Sequence, residues 1–146
     1  MSEIPTPQEL ANVSKLFSLL DEAGCVRLLE TATRRSVAPG EVICREGEKG
    51  DEFFIVLGGR VAVTADDFGT SKNIALLGRG AFFGEMAVLA NQPRSATITV
   101  EEQADLLVFD RAAVEEVLRS YPAVRQALGK VGVKRTEELL EKLSAD

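Results

Sequence analysis

The apolar positions of this chain change their spacing twice. In the first stretch Leu10, Val13 and Phe17 recur at intervals of three and four residues, the period of a helix with one buried face. Thr6-Pro7-Gln8-Glu9 precedes them. This is the form of a capping box: Thr6 is the N-cap, Pro7 stands where a missing N–H costs nothing, and Glu9 reaches back. Asp21 is placed as the N-cap of a second helix, from about Glu22 to Thr33, with Val26, Leu29 and Ala32 as its inner stripe.

From about Arg34 the period shortens. The apolar, β-branched runs Glu41–Cys44, Glu52–Leu57, Arg60–Thr64, Asn73–Leu77, Ala96–Val100 and Leu106–Phe109 are separated by Pro39-Gly40, Lys49-Gly50, Gly58-Gly59, Asp66-Asp67-Phe68-Gly69 and Gly78-Arg79-Gly80. Short strands at roughly 8–12-residue spacing predict an all-β sandwich or barrel rather than βαβ units. Val61 and Val63 show the alternation of a strand with one buried face. After Asp110, a third candidate N-cap, the helical period returns with Val114, Val117 and Leu118, and Tyr121-Pro122 ends that helix. A further helical stretch is expected to be interrupted near Gly129 and Gly132. A last segment carries Leu139, Leu140 and Leu143 among Lys134, Arg135, Glu137, Glu138, Glu141 and Lys142. Those charges read as a solvated face, and the leucines as core, dimer contact or a lid.

Composition narrows the function. At 45% hydrophobic and 27% charged residues, the 146-residue chain is an ordinary globular protein with one core. A net charge of −6 gains nothing from counterion release on nucleic acid and offers no polybasic patch to an anionic membrane. A single well-placed Arg still outweighs that screened global charge for a small anion. The chain has no histidine, which argues against His-based acid–base catalysis and imidazole metal sites. Cys25 and Cys44 have no metal-type spacing and are read as two packed, reduced thiols. The N-terminus lacks a secretion signal and no apolar run approaches the ~20 residues of a membrane span. The expected location is cytoplasmic, with no metal and no cofactor.

One segment, Phe83-Gly84-Glu85-Met86-Ala87-Val88-Leu89-Ala90-Asn91-Gln92-Pro93-Arg94-Ser95-Ala96-Thr97, breaks the strand pattern. Glu85 to Ala90 are mostly helix formers, enough for one or two turns. A glycine-preceded helix start presents free N–H groups and partial positive charge to an anion. Arg94 adds forked donors suited to phosphate oxygens, and an ionised Glu85 is an acceptor suited to a sugar hydroxyl.

Phe83 to Thr97 resembles the phosphate-binding cassette of the cyclic-nucleotide-binding domain family. Gly50-Asp51-Glu52-Phe53-Phe54-Ile55-Val56 is similar to that family's glycine-Asp-x-Phe strand motif, and Gly40, Gly59 and Gly80 fall at its turn glycines. The similarity runs from about Phe17 to about Leu128. It implies a mainly β fold with flanking helices: an eight-stranded β-roll or jelly-roll barrel, with N-terminal helices and C-terminal hinge and lid helices. The expected organisation is one domain over 1–146, with helices over 6–33, barrel over 34–110, cassette over 83–97, and hinge and lid over 111–146.

By the same resemblance the ligand is cAMP, preferred over cGMP. Arg94 pairs with the cyclic phosphate and Glu85 accepts from the ribose 2′-hydroxyl, with the Gly84 N–H nearby. Backbone N–H groups of Ala87 and Ser95 complete the cradle, Met86 lies among the ligand-binding positions, and Asp51 orients Arg94 from behind in a buried pair. Val61, Val63, Arg135, Leu139 and Leu140 are candidates for contact with the base or for the lid. Ser95 does not decide between the two nucleotides. The expected function is a ligand-responsive regulatory domain, not an enzyme. It works through a separate protein effector, without nucleic acid or membrane, as monomer or homodimer. Either the chain works through a separate partner or it is a domain excised from a longer protein, and the start at Met1 with its own capped helix favours the former. The alternative is a ligand-free scaffold of the same fold serving as a protein-interaction module.

Overall fold

The structure, a computed structural model, describes residues 4–85 and 92–144. The capping box forms as read. Thr6 accepts from the Glu9 N–H, Glu9 accepts from the Thr6 N–H, and helix α1 spans Pro7–Val13. Ser14 then turns extended, and Phe17 lies in a short 3-10 helix, Lys15–Leu19. Helix α2 spans Glu22–Glu30, capped by Asp21 through the Gly24 N–H at 2.7 Å. Its buried stripe is Cys25, Leu28 and Leu29, while the expected Val26 is 43% exposed. The helix ends at Glu30, three residues short of the expectation, so the chain reaches Thr33 as strand.

Six strands follow among the described residues: β1 (Thr33–Val37), β2 (Val42–Cys44), β3 (Glu52–Asp67), β4 (Thr70–Leu77), β5 (Phe82–Phe83) and β6 (Thr97–Asp110). Eight had been expected. The difference arises because β3 runs through Gly58-Gly59 and β6 runs unbroken from Thr97 to Asp110. Two glycines in a strand mark a bulge as readily as a turn. The β3–β6 register shifts between Val56 and Val61, and this irregularity falls where the long ribbon changes from one set of partners to another. Gly40, Gly59 and Gly80 all have positive φ, as turn glycines do. The order is β1-β6-β3-β4, with β2 on β6 and β5 on β3, and every pairing is antiparallel.

The run Phe53–Leu57 is apolar at every position because both faces of β3 are covered. Phe53, Ile55 and Leu57 join Leu107 and Phe109 of β6 in a core shared with the helices. Phe54 and Val56 join Val61, Leu106 and Val108 in a second core inside the roll. Strand alternation thus divides one sequence run between two cores.

Helix α3 (Arg111–Ser120) starts at its cap Asp110 and buries Val114, Val117 and Leu118, as the spacing predicts. Helix α4 (Pro122–Ser144) is continuous through Gly129 and Gly132. The expected interruption does not occur. Each glycine costs only about 1 kcal/mol relative to Ala in a helix, and packing by Val124 and Leu128, 5% and 1% exposed, holds the helix on the core.

Candidate ligand-binding site

Strand β5 sets the site. Phe83 pairs with Phe54 and Phe82 with Ile55, so the chain leaving β5 passes the first residues of β3. Gly84 lies so close that a Cβ there would be 2.7 Å from the Glu52 carbonyl and 2.8 Å from Arg94 Nη1. Its φ of +92° also excludes most side chains. Gly50 makes the same allowance on the other side: a Cβ there would overlap the Arg94 guanidinium at Nε.

Arg94 is fixed from several directions. Its N–H donates to the Glu48 carbonyl at 2.8 Å, and its own carbonyl accepts from the Gly47 N–H at 2.9 Å. Nη2 donates to the Glu52 carbonyl at 3.1 Å. The guanidinium carbon stands 5.8 Å from the centroid of the Phe54 ring, which stacks on Phe83. Nη1 is buried with no hydrogen-bond partner among the described residues. An unsatisfied buried donor costs about 1–3 kcal/mol, more when charged. The fork is therefore held with one tine free for an acceptor. Asp51 does not supply it: the residue is exposed and forms no ion pair with Arg94. The expected buried pair is replaced by a backbone carbonyl one residue on, which faces the site because Asp51 precedes the strand and Glu52 begins it.

Glu85 is buried, at 4% exposure. Both of its carboxylate oxygens accept from Nη1 of Arg135, each at 2.8 Å. Arg135 lies on α4 with its guanidinium carbon 4.9 Å from the Phe82 centroid. A buried carboxylate requires such a partner, and the ring face adds a cation–π contact. Arg135 is thus no member of a solvated face. It fastens the last helix to the roll.

Gly84, Glu85, Arg94, Ser95, Arg135 and Leu139 line one cavity of about 150 Å3. The rest of its wall comes chiefly from Cys44, Val63, Ile74, Ala75, Leu77 and Ile98. The carboxylate and the free guanidinium tine therefore share a polar end, opposite an apolar wall. Val63 faces this space, but Val61 is fully buried in the inner core and does not line it. The two residues share one face of β3, with Val61 inside the inner core and Val63 packed against its edge. Met86 and Ala87, expected in the cradle, lie outside the described residues, as does the side chain of Leu140.

Sequence reasoning missed Cys44, Ile74, Leu77 and Ile98 as wall residues. Ile74 and Leu77 have opposite parity on β4 and share the wall because the β3–β4 register slips between Asn73 and Ala75, which strand alternation does not reveal. It also missed the Glu52 carbonyl, since a backbone atom has no sequence signature. Cys25 and Cys44 are both free and buried. Burial pushes the Cys44 thiol up to about 11, with Arg94 pulling the other way.

Among the described residues, Arg94 thus keeps one guanidinium nitrogen without a partner and lines the cavity that the buried carboxylate of Glu85 also lines. The family model described as the cyclic nucleotide-binding domain matches residues 34–121, and the chain belongs to that family. A cyclic nucleotide-gated potassium channel of Mesorhizobium japonicum is 35% identical over 127 residues, 87% of this chain and 34% of the channel. A cGMP-dependent protein kinase of Eimeria tenella is 39% identical over 111 residues, 76% of this chain and 11% of the kinase. The solved structure of cAMP-bound PfPKA-R has a TM-score of 0.83 at 28% identity, covering 96% of this chain and 46% of that one. The chain therefore spans about a third or less of the length of these curated relatives. Among the described residues, no helix is long and apolar enough to cross a membrane.

Proposed function

We propose that this chain senses a 3′,5′-cyclic nucleotide, cAMP in preference to cGMP, and passes occupancy to a separate protein effector without altering the ligand chemically. The observation that carries the reading is the unpartnered, buried Nη1 of Arg94 at the cavity shared with Glu85. A cyclic phosphate bears one negative charge shared by two exocyclic oxygens that a guanidinium meets with charge-assisted hydrogen bonds. The backbone N–H groups of Ala87 and Ser95 are assigned to the phosphate, and that of Gly84 to the ribose beside Glu85. Glu85 accepts from the ribose 2′-hydroxyl. A carboxylate has about four lone-pair sites, so Glu85 can serve the ribose and Arg135 together.

The base lies along Val63, Ile74, Leu77 and Leu139, whose apolar side chains suit adenine, which has no carbonyl needing a partner. Closure is a population shift: ligand must contact roll and α4 together better than either alone.

Isothermal titration of the chain with cAMP and cGMP tests this reading. A saturable heat with cAMP, and a weaker one with cGMP, is expected. The nucleotide recovered after incubation is expected unhydrolysed. No heat with either nucleotide would contradict the reading and leave an interaction module of the same fold.

A further inference from the structure

Tyr121 belongs to two helices and touches a third. Its N–H donates to the Val117 carbonyl and closes α3, while its carbonyl accepts from the Val124 N–H and opens α4. Its hydroxyl donates to Asp21 Oδ1 at 2.5 Å, the same oxygen that caps α2 through the Gly24 N–H. The seat for the ring is made by a missing side chain. A Cβ on Gly24 would lie 2.6 Å from the Tyr121 oxygen and 2.7 Å from its ring carbon Cζ. Glycine inside a helix costs about 1 kcal/mol relative to Ala, and here the vacated space is filled by the tyrosine. Beside it, Arg27 of α2 and Glu116 of α3 form an exposed ion pair at 3.6 Å.

The position of this contact gives it leverage. From Tyr121 to Arg135 the helix rises about 20 Å at 1.5 Å per residue. One end of α4 is thus fixed to the N-terminal helices by Tyr121, and a point two-thirds along it is fixed to the roll by Arg135 on Glu85. A helix cannot swing on its pivot while both contacts persist.

We propose that Tyr121 is the positioning residue of the lid: seated on Asp21 and Gly24, it fixes the pivot of α4, so that α2 and the lid close over the ligand as one body. The inference rests on the reading of the cavity as a nucleotide site. It makes α2, which lines no part of that cavity, a reporter of occupancy. The hydrogen bond also shows in the ionisation of its partners, with the Asp21 carboxyl held below its usual range chiefly by the Tyr121 hydroxyl.

The test compares the full chain with Tyr121→Phe, which keeps the ring and removes the hydroxyl, and with Gly24→Ala, which obstructs the seat. Two quantities are read: cAMP affinity by calorimetry, and hydrogen exchange of the α2 amides with and without cAMP. In the parent chain, cAMP is expected to slow exchange in α2. Tyr121→Phe is expected to weaken cAMP binding about fivefold, within the usual range of coupling between distant sites, and to abolish the ligand-dependent protection of α2. Gly24→Ala is expected to do the same. Parent-like affinity with ligand-dependent α2 protection retained in both variants would overturn the proposal. Failure of the parent chain to bind cAMP would instead overturn the reading of the site.

Discussion

At the scale of single residues, the site depends on side chains that are absent as much as on those present. Gly50 and Gly84 leave room for the Arg94 guanidinium, and Phe54 backs it. Two residue-level predictions follow from this packing. Cys44 is 6% exposed beside the cavity, and burial raises its thiol to about 11. It should resist iodoacetamide at neutral pH and react only on unfolding, which mass spectrometry of the labelled protein would show. The sign of the linked stability is fixed by the same shift: a thiol raised above its ordinary 9.0 contributes fully below that value. That contribution is lost as pH rises through about 11. The second prediction concerns Glu85→Ala, which removes the acceptor proposed for the ribose and one anchor of α4. Titration calorimetry should show cAMP binding weaker by roughly 1.5 kcal/mol, about tenfold.

At the scale of elements, the caps were legible and the strand boundaries were not. Thr6, Asp21 and Asp110 announce their helices because a capping side chain and its N–H partner lie within three residues of each other. Asp110→Ala removes the bond to the Ala113 N–H at 2.8 Å. It should lower stability by about 1 kcal/mol, measurable by urea denaturation. Strand ends depend on partners far along the chain. Gly58-Gly59 reads as a turn, yet β6 continues alongside it and β3 bends rather than stops. The continuity of α4 through Gly129 and Gly132 has the same origin, since tertiary packing overrides a modest local propensity. Val26 misled for a simpler reason. The helical period fixes which residues share a stripe, but the turn preceding α2 decides which stripe faces inward.

At the scale of the whole molecule, the cassette told most about the site because its residues are local in sequence. Gly84, Glu85, Arg94 and Ser95 span only a dozen positions and meet at one cavity. Contacts across long separations were hidden. Arg135 reaches Glu85 over fifty residues, and Tyr121 reaches Asp21 over a hundred. Arg135 read from sequence as part of a charged, solvated face, and Tyr121 only as the end of a helix. The roll supplies Glu85 and Arg94 to the cavity, and α4 adds Arg135.

The central claim is that the free tine of Arg94 exists to hold a cyclic phosphate. Calorimetric titration of Arg94→Leu with cAMP, alongside the parent chain, tests it most directly. Loss of a charge-assisted bond to a buried phosphate predicts a Kd higher by on the order of a hundredfold, about 3 kcal/mol. The variant's fold should be unchanged by circular dichroism, since leucine fits beside Phe54 and relieves a buried unsatisfied donor. Undiminished affinity in Arg94→Leu would contradict the account.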